Sequence, residues 1–237
     1  MITNKVTAAL LLQDDFSGDG ITGPQQRFLL GGRYVVPIRK QEGFYVFTQA
    51  LGNGCELTIT SAGYEPMTLR LEEPQDGSPP QILQVRLMRA PGGSTYDDSY
   101  CIEGTCRPCS RVVAMAEEES SLRFQSIGVK DGRHWLLLQG YSTRQTRNRR
   151  FCITEGKKRE YFIITAQNSD GTYEIEAPFR ESFSPGSLVR RVYTTRSGTD
   201  GRYSLYVEPD QKPGSLKVEC LRKEGAEWGC SYVPVLR

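Results

Sequence analysis

Three cysteines stand at C-x4-C-x2-C spacing in CIEGTCRPC, residues 101–109, and a fourth lies further along the chain at Cys152. Thiolates are soft ligands, and four of them in a tetrahedral shell hold a structural zinc wherever a fold brings them together. Cys101, Cys106, Cys109 and Cys152 are therefore the candidate metal set. Only Cys106 and Cys109 form a C-x2-C knuckle, so the other two ligands must come from distant turns. The competing expectation is reduced thiols in a loop, with Cys55, Cys152 and Cys220 buried as small apolar side chains. A Cys220–Cys230 bridge is open to the chain only in an oxidising compartment.

A second constellation is cationic. Arg144, Arg147, Arg149 and Arg150 in RQTRNRR are followed by Lys157, Lys158 and Arg159, with Tyr141, Phe151 and Tyr161 flanking them. A basic, aromatic-edged loop contacts phosphates and stacks on bases, so nucleic acid or a glycan is one class of ligand for this patch. Docking on an acidic protein surface is another, and a solvated charge run is the commoner outcome. Over the whole chain Lys plus Arg number 30 against 28 Asp plus Glu, so an electrostatic partner has to be attracted locally.

Catalytic machinery is sparse. His134, in GRHWLLL, is the single histidine, which removes histidine-rich metal sites and leaves one imidazole for base catalysis. The acid pairs Asp14-Asp15 and Asp97-Asp98 point to opposite faces if they lie on strands, and Glu117 to Glu119 read as a solvated helix face. Neither a phosphate-binding glycine loop nor a nucleophile elbow occurs in the strand–turn–helix setting it requires. The expectation is a protein that is not an enzyme.

The elements that position these residues read as hairpins. An apolar strand at Val6–Leu12 leads into DDFSGDGITG, and RFLLGGRYVVPIRKQEGFYVF gives short strands broken at Gly31-Gly32 and Gly43. In CELTITSAGYEPMTLRLEEP, Leu57 and Ile59 alternate with threonines, and Met67, Leu69 and Leu71 alternate after a turn at Gly63. Ile82, Val85 and Leu87 close a unit of about ninety residues with the strand spacing of an antiparallel sandwich. Strands resume after Ser126 and continue to a final hairpin.

DDFSGDGITG, EGFYVF at Glu42–Phe47 and LTITSAGYEP at Leu57–Pro66 resemble the transthyretin-like or carboxypeptidase regulatory-like β-sandwich, a group that includes the B-type repeats of bacterial surface proteins. The likeness covers the first ninety residues. It implies a spacer, adaptor or binding module and brings no catalytic residues. CIEGTC in turn resembles the cluster loop of plant-type two-iron ferredoxins, whose first three ligands share its spacing. Arg107 and Pro108 oppose that reading, because a bulky cation and a residue without an N–H hinder backbone amides from closing around a cluster.

The expected organisation is all-β: a sandwich over residues 1–92, a cysteine-containing linker with a short helix over 93–125, and a second β domain over 126–237. The helix rests on Val112, Met115 and Ala116 at i, i+3 and i+4. A faint echo of Gly43–Phe47 and Gly54–Leu57 in Gly201–Leu205 and Gly214–Lys217 suggests a second sandwich. No apolar run is long enough to span a bilayer, and MITNKVTAALLLQDDFSG reads as a first strand, not as an export signal, which places synthesis in the cytoplasm. The functional expectation is a non-catalytic structural or adaptor protein binding other protein subunits, of the kind found in bacterial surface or phage-tail-like assemblies. A zinc protein and a nucleic-acid or glycan module are the rival classes.

Overall fold

The computed structural model describes residues 6–23, 25–50, 54–72, 80–90, 99–108, 110–116, 122–140, 149–209, 215–224 and 227–232, from residue 222 onward as backbone alone. The described residues are β-strands and turns, with one 3-10 turn at Gln41–Gly43. Contacts divide the chain into two compact units, Met1–Ser94 and Thr95–Arg237.

The first unit contains β1 (Ala8–Asp14), β2 (Arg27–Leu30), β3 (Arg33–Val35), β4 (Ile38–Arg39), β5 (Phe44–Phe47), β6 (Cys55–Thr60), β7 (Met67–Leu71) and β8 (Gln81–Leu87). They form two four-stranded sheets, β4-β5-β1-β8 and β3-β2-β6-β7. Every pairing is antiparallel except β1 with β8. Period-two alternation turns Ala8, Leu10, Leu12, Tyr45 and Phe47 of one sheet and Phe28, Leu57, Ile59 and Leu71 of the other into a single buried core. Each large side chain fully buried there is worth about 1.5–3 kcal/mol of apolar transfer. Phe28 packs edge-on against Phe47, with ring centroids 5.5 Å apart.

Close backbone contact explains two of the glycines in the turn motifs. A Cβ at Gly20 would stand 2.2 Å from the Glu42 carbonyl oxygen, and one at Gly43, where φ is +83°, would stand 2.6 Å from that of Leu12. DDFSGDG can therefore lie directly on the Glu42-Gly43 turn.

The second unit contains β9 (Tyr100–Thr105), β10 (Arg111–Ala116), β11 (Arg123–Lys130), β12 (Arg133–Gln139), β13 (Arg149–Glu155), β14 (Lys158–Gln167), β15 (Tyr173–Ile175), β16 (Leu188–Arg196), β17 (Arg202–Val207), β18 (Leu216–Glu224) and β19 (Glu227–Tyr232). Six of these strands close on themselves: β11-β12-β15-β14-β13-β16, with β16 pairing back to β11. Each strand of this small barrel contributes to one interior: Phe124, Leu136, Ile175, Phe162 and Ile164, Phe151 and Ile153, and Val189. Phe179, from the segment after β15, packs on Phe162 at 5.2 Å and on Phe124 at 6.1 Å. β16 then leaves the barrel: its second half pairs with β10, which continues to β18 and β19. β9 and β17 form a separate two-stranded sheet.

Two expectations are corrected here. Val112, Met115 and Ala116 lie on strand β10, not on a helix; residues 117–121 of that expected helix fall outside the described residues. Val112 to Met115 are all buried, so the strand is covered on both faces and shows a continuous apolar run in place of alternation. Such a run cannot be told from a buried helix by periodicity alone. Nor is 93–125 a linker, since β9, β10 and the start of β11 are strands of the second unit.

Candidate functional site

The cysteine segment is built into the second unit. Cys101 is exposed on β9 opposite Tyr206 of β17. Cys106, just beyond the strand, donates its backbone N–H to the Gly201 carbonyl at 2.8 Å. The Ser197 hydroxyl donates to the Arg107 carbonyl at 2.8 Å and accepts from the Ser110 N–H at 2.9 Å, which ties the segment to the β16–β17 turn. Cys152 is fully buried on β13 among Val113, Met115, Val192 and Leu221. Burial pushes its thiol up to about 12, so it is protonated at neutral pH. Cys109 lies outside the described residues. Among the described residues no group of three or more His, Cys, Asp or Glu is placed to hold a metal ion.

The basic patch is split by its own hairpin. Arg149 faces Ile164 at one end of the β13–β14 pair and Glu155 faces Lys158 at the other, six residues or about 20 Å away. Arg149 and Arg150 therefore stand far from Lys157, Lys158 and Arg159; Tyr141, Arg144 and Arg147 lie outside the described residues. The cations also have internal partners. Arg149 and Arg191 both approach the Glu208 carboxylate, at 3.5 and 3.2 Å, and the Tyr193 hydroxyl donates to it at 3.0 Å. Arg159 and Lys217 hold the buried Glu219, and Lys158 donates to the Ser182 carbonyl at 3.0 Å.

Two other surfaces emerge that residue type and spacing did not reveal. Tyr34, Val36 and Ile38 occupy alternate positions where the chain crosses from β3 to β4, and they are 64%, 70% and 49% exposed. Val35, between them, packs on the core. Both β3 and β4 are edges of their sheets.

The second surface is a cleft of about 700 Å³ between the β11–β12 turn and the β14–β15 loop. Trp135, Arg133 and Glu174 line it together with Lys130 and Asp170. Register places Gly128, Trp135 and Glu174 side by side across β11, β12 and β15, on the face opposite the inward Leu136 and Ile175. Arg133 bonds Glu174 at 3.1 Å. Across from them, Asp170 accepts the Thr172 N–H at 3.0 Å and its hydroxyl at 2.6 Å, which holds this carboxyl below its usual range. HWLLL advertised a strand in the sequence, but the partners that make it a cleft lie about forty residues away and are set by register.

Comparison of the chain with protein-family models, with curated proteins and with solved structures finds no match.

Proposed function

We propose that the protein is a non-catalytic structural or adaptor component whose sheets and loops bind partner proteins. The observation that supports this most directly is the Tyr34, Val36, Ile38 stripe on the β3–β4 edge. An edge strand presents unpaired backbone groups, and an apolar row beside them offers the side-chain contacts that a docking strand needs. The first unit is read as a transthyretin-like or carboxypeptidase regulatory-like sandwich. In support, DDFSGDG forms the turn after β1, GFYVF supplies β5, and GYEP supplies the corner at Tyr64. A place in a bacterial surface or phage-tail-like assembly is the setting this reading suggests.

A photo-crosslinking residue at Val36 of the full chain, expressed in its native cells, tests the reading. The expected result is one discrete protein adduct that is lost when Tyr34 and Ile38 are changed to lysine and that does not form from the exposed position Lys157. Absence of an adduct, or equal labelling from both positions, would overturn it.

A further inference from the structure

We propose that the cleft between the β11–β12 turn and the β14–β15 loop binds a neutral carbohydrate, with Trp135 as the stacking platform. The site is independent of the β3–β4 edge and lies in the other unit of the chain.

The platform is built by a glycine. A Cβ at Gly128 would stand 2.4 Å from Cζ2 and 2.8 Å from Nε1 of Trp135, so the indole covers the α-carbon of its cross-strand partner. Any larger residue there would lift the ring off the sheet. A broad ring lying on backbone and lining a cleft offers an apolar surface to the C–H face of a pyranose.

The rim carries both senses of hydrogen bond. Arg133, Lys130 and Asn168 supply donors, while Glu174, Asp170 and Asp131 supply carboxylate acceptors. Arg133 and Glu174 already hold one another, and Asn168 donates to the Thr172 hydroxyl at 3.0 Å, so these three polar groups are oriented before a ligand arrives. Two cations stand with three carboxylates around one cleft. A phosphate ligand would meet the carboxylates, and a cationic ligand would meet Lys130 and Arg133. Vicinal hydroxyls both donate and accept, so an uncharged sugar uses the whole rim without opposing charge. The cleft volume lies within the range of about 300–1,000 Å³ usual for small-ligand sites.

Tryptophan fluorescence of the full chain tests the proposal. Trp228 is changed to phenylalanine so that Trp135 alone reports, and the probes are maltotetraose, cellotetraose, chitotetraose and a galactose tetramer, with AMP and spermidine as charged comparisons. At least one tetrasaccharide should shift the emission saturably, with an affinity unaffected by added salt. Calorimetry on the chain with Trp228 in place should then show roughly tenfold weaker binding for Trp135→Ala. Glu174→Gln, a near-isosteric change at a partly exposed ion pair, should weaken it too, with circular dichroism unchanged in both variants. Failure of all four sugars, binding indifferent to both substitutions, or a preference for AMP or spermidine that fades with salt would overturn it.

Discussion

The phenol ring of Tyr203 lies across Gly104: a Cβ at residue 104 would stand 2.5 Å from the Tyr203 hydroxyl oxygen and 2.7 Å from Cζ. The two residues are direct partners in the β9–β17 pair. The glycine of CIEGTC therefore makes room for an aromatic side chain across a ladder, and Trp135 on Gly128 repeats the device in the barrel.

Gly104→Val should destabilise the second unit by about 1–3 kcal/mol, the usual cost of overpacking a filled site. Removing the ring as well, in Gly104→Val with Tyr203→Ala, should cost less than the sum of the two single changes, because they share one space. Urea denaturation of the four proteins measures that coupling, and strict additivity would show that the ring does not depend on the glycine.

Asp14 should be the most sensitive polar position of the first unit. Its carboxylate accepts the N–H groups of Phe16 and Ser17 at 2.9 Å, the Tyr64 hydroxyl at 2.8 Å and Arg89 Nε at 3.0 Å, with its side chain 4% exposed. The Arg89 guanidinium also stacks over the Tyr64 ring at 4.6 Å. Asp14→Ala leaves a half-buried cation and several donors without their acceptor and should cost about 3–5 kcal/mol. Tyr64→Phe removes one hydrogen bond and should cost about 1–2 kcal/mol. Thermal melts monitored by near-ultraviolet circular dichroism distinguish the two.

Alkaline pH should unfold the second unit before peptide chemistry intervenes. Burial pushes the Cys152 thiol and the Tyr161 and Tyr203 hydroxyls up to about 12, from ordinary values of 9.0 for Cys and 10.0 for Tyr. Between those limits the unfolded chain has released protons that the folded chain still holds, so stability falls as pH rises. The contribution is complete below about pH 9 and is lost towards pH 12. Urea midpoints measured across that window should decline, and Tyr203→Phe should flatten the decline. An unchanged slope in Tyr203→Phe would remove that phenol from the account.

Much of the fold was legible because local rules agree with it. Leu57 and Ile59 alternate with threonines in the sequence and face the core in the structure, and GFYVF reads as a strand after a glycine turn and forms β5. VVAMA is the exception, because burial on both faces erases the period that separates strand from helix. Proximity along the sequence also groups Tyr141 to Arg159 as one patch. Neighbours in sequence sit at opposite ends of a hairpin, and two of the cations, Arg149 and Arg159, are held by Glu208 and Glu219, carboxylates about sixty residues distant.

Alternation and turn glycines settle by themselves that the chain is of the β class, as the described residues are, because those signals are local and nearly every strand carries its own. The closure of six strands through the β16–β11 pairing, the paired cations of the basic segment and the meeting of Trp135 with Glu174 and Asp170 were decided by tertiary structure. Pairing register is a property of two strands at once, and neither strand's sequence contains it alone.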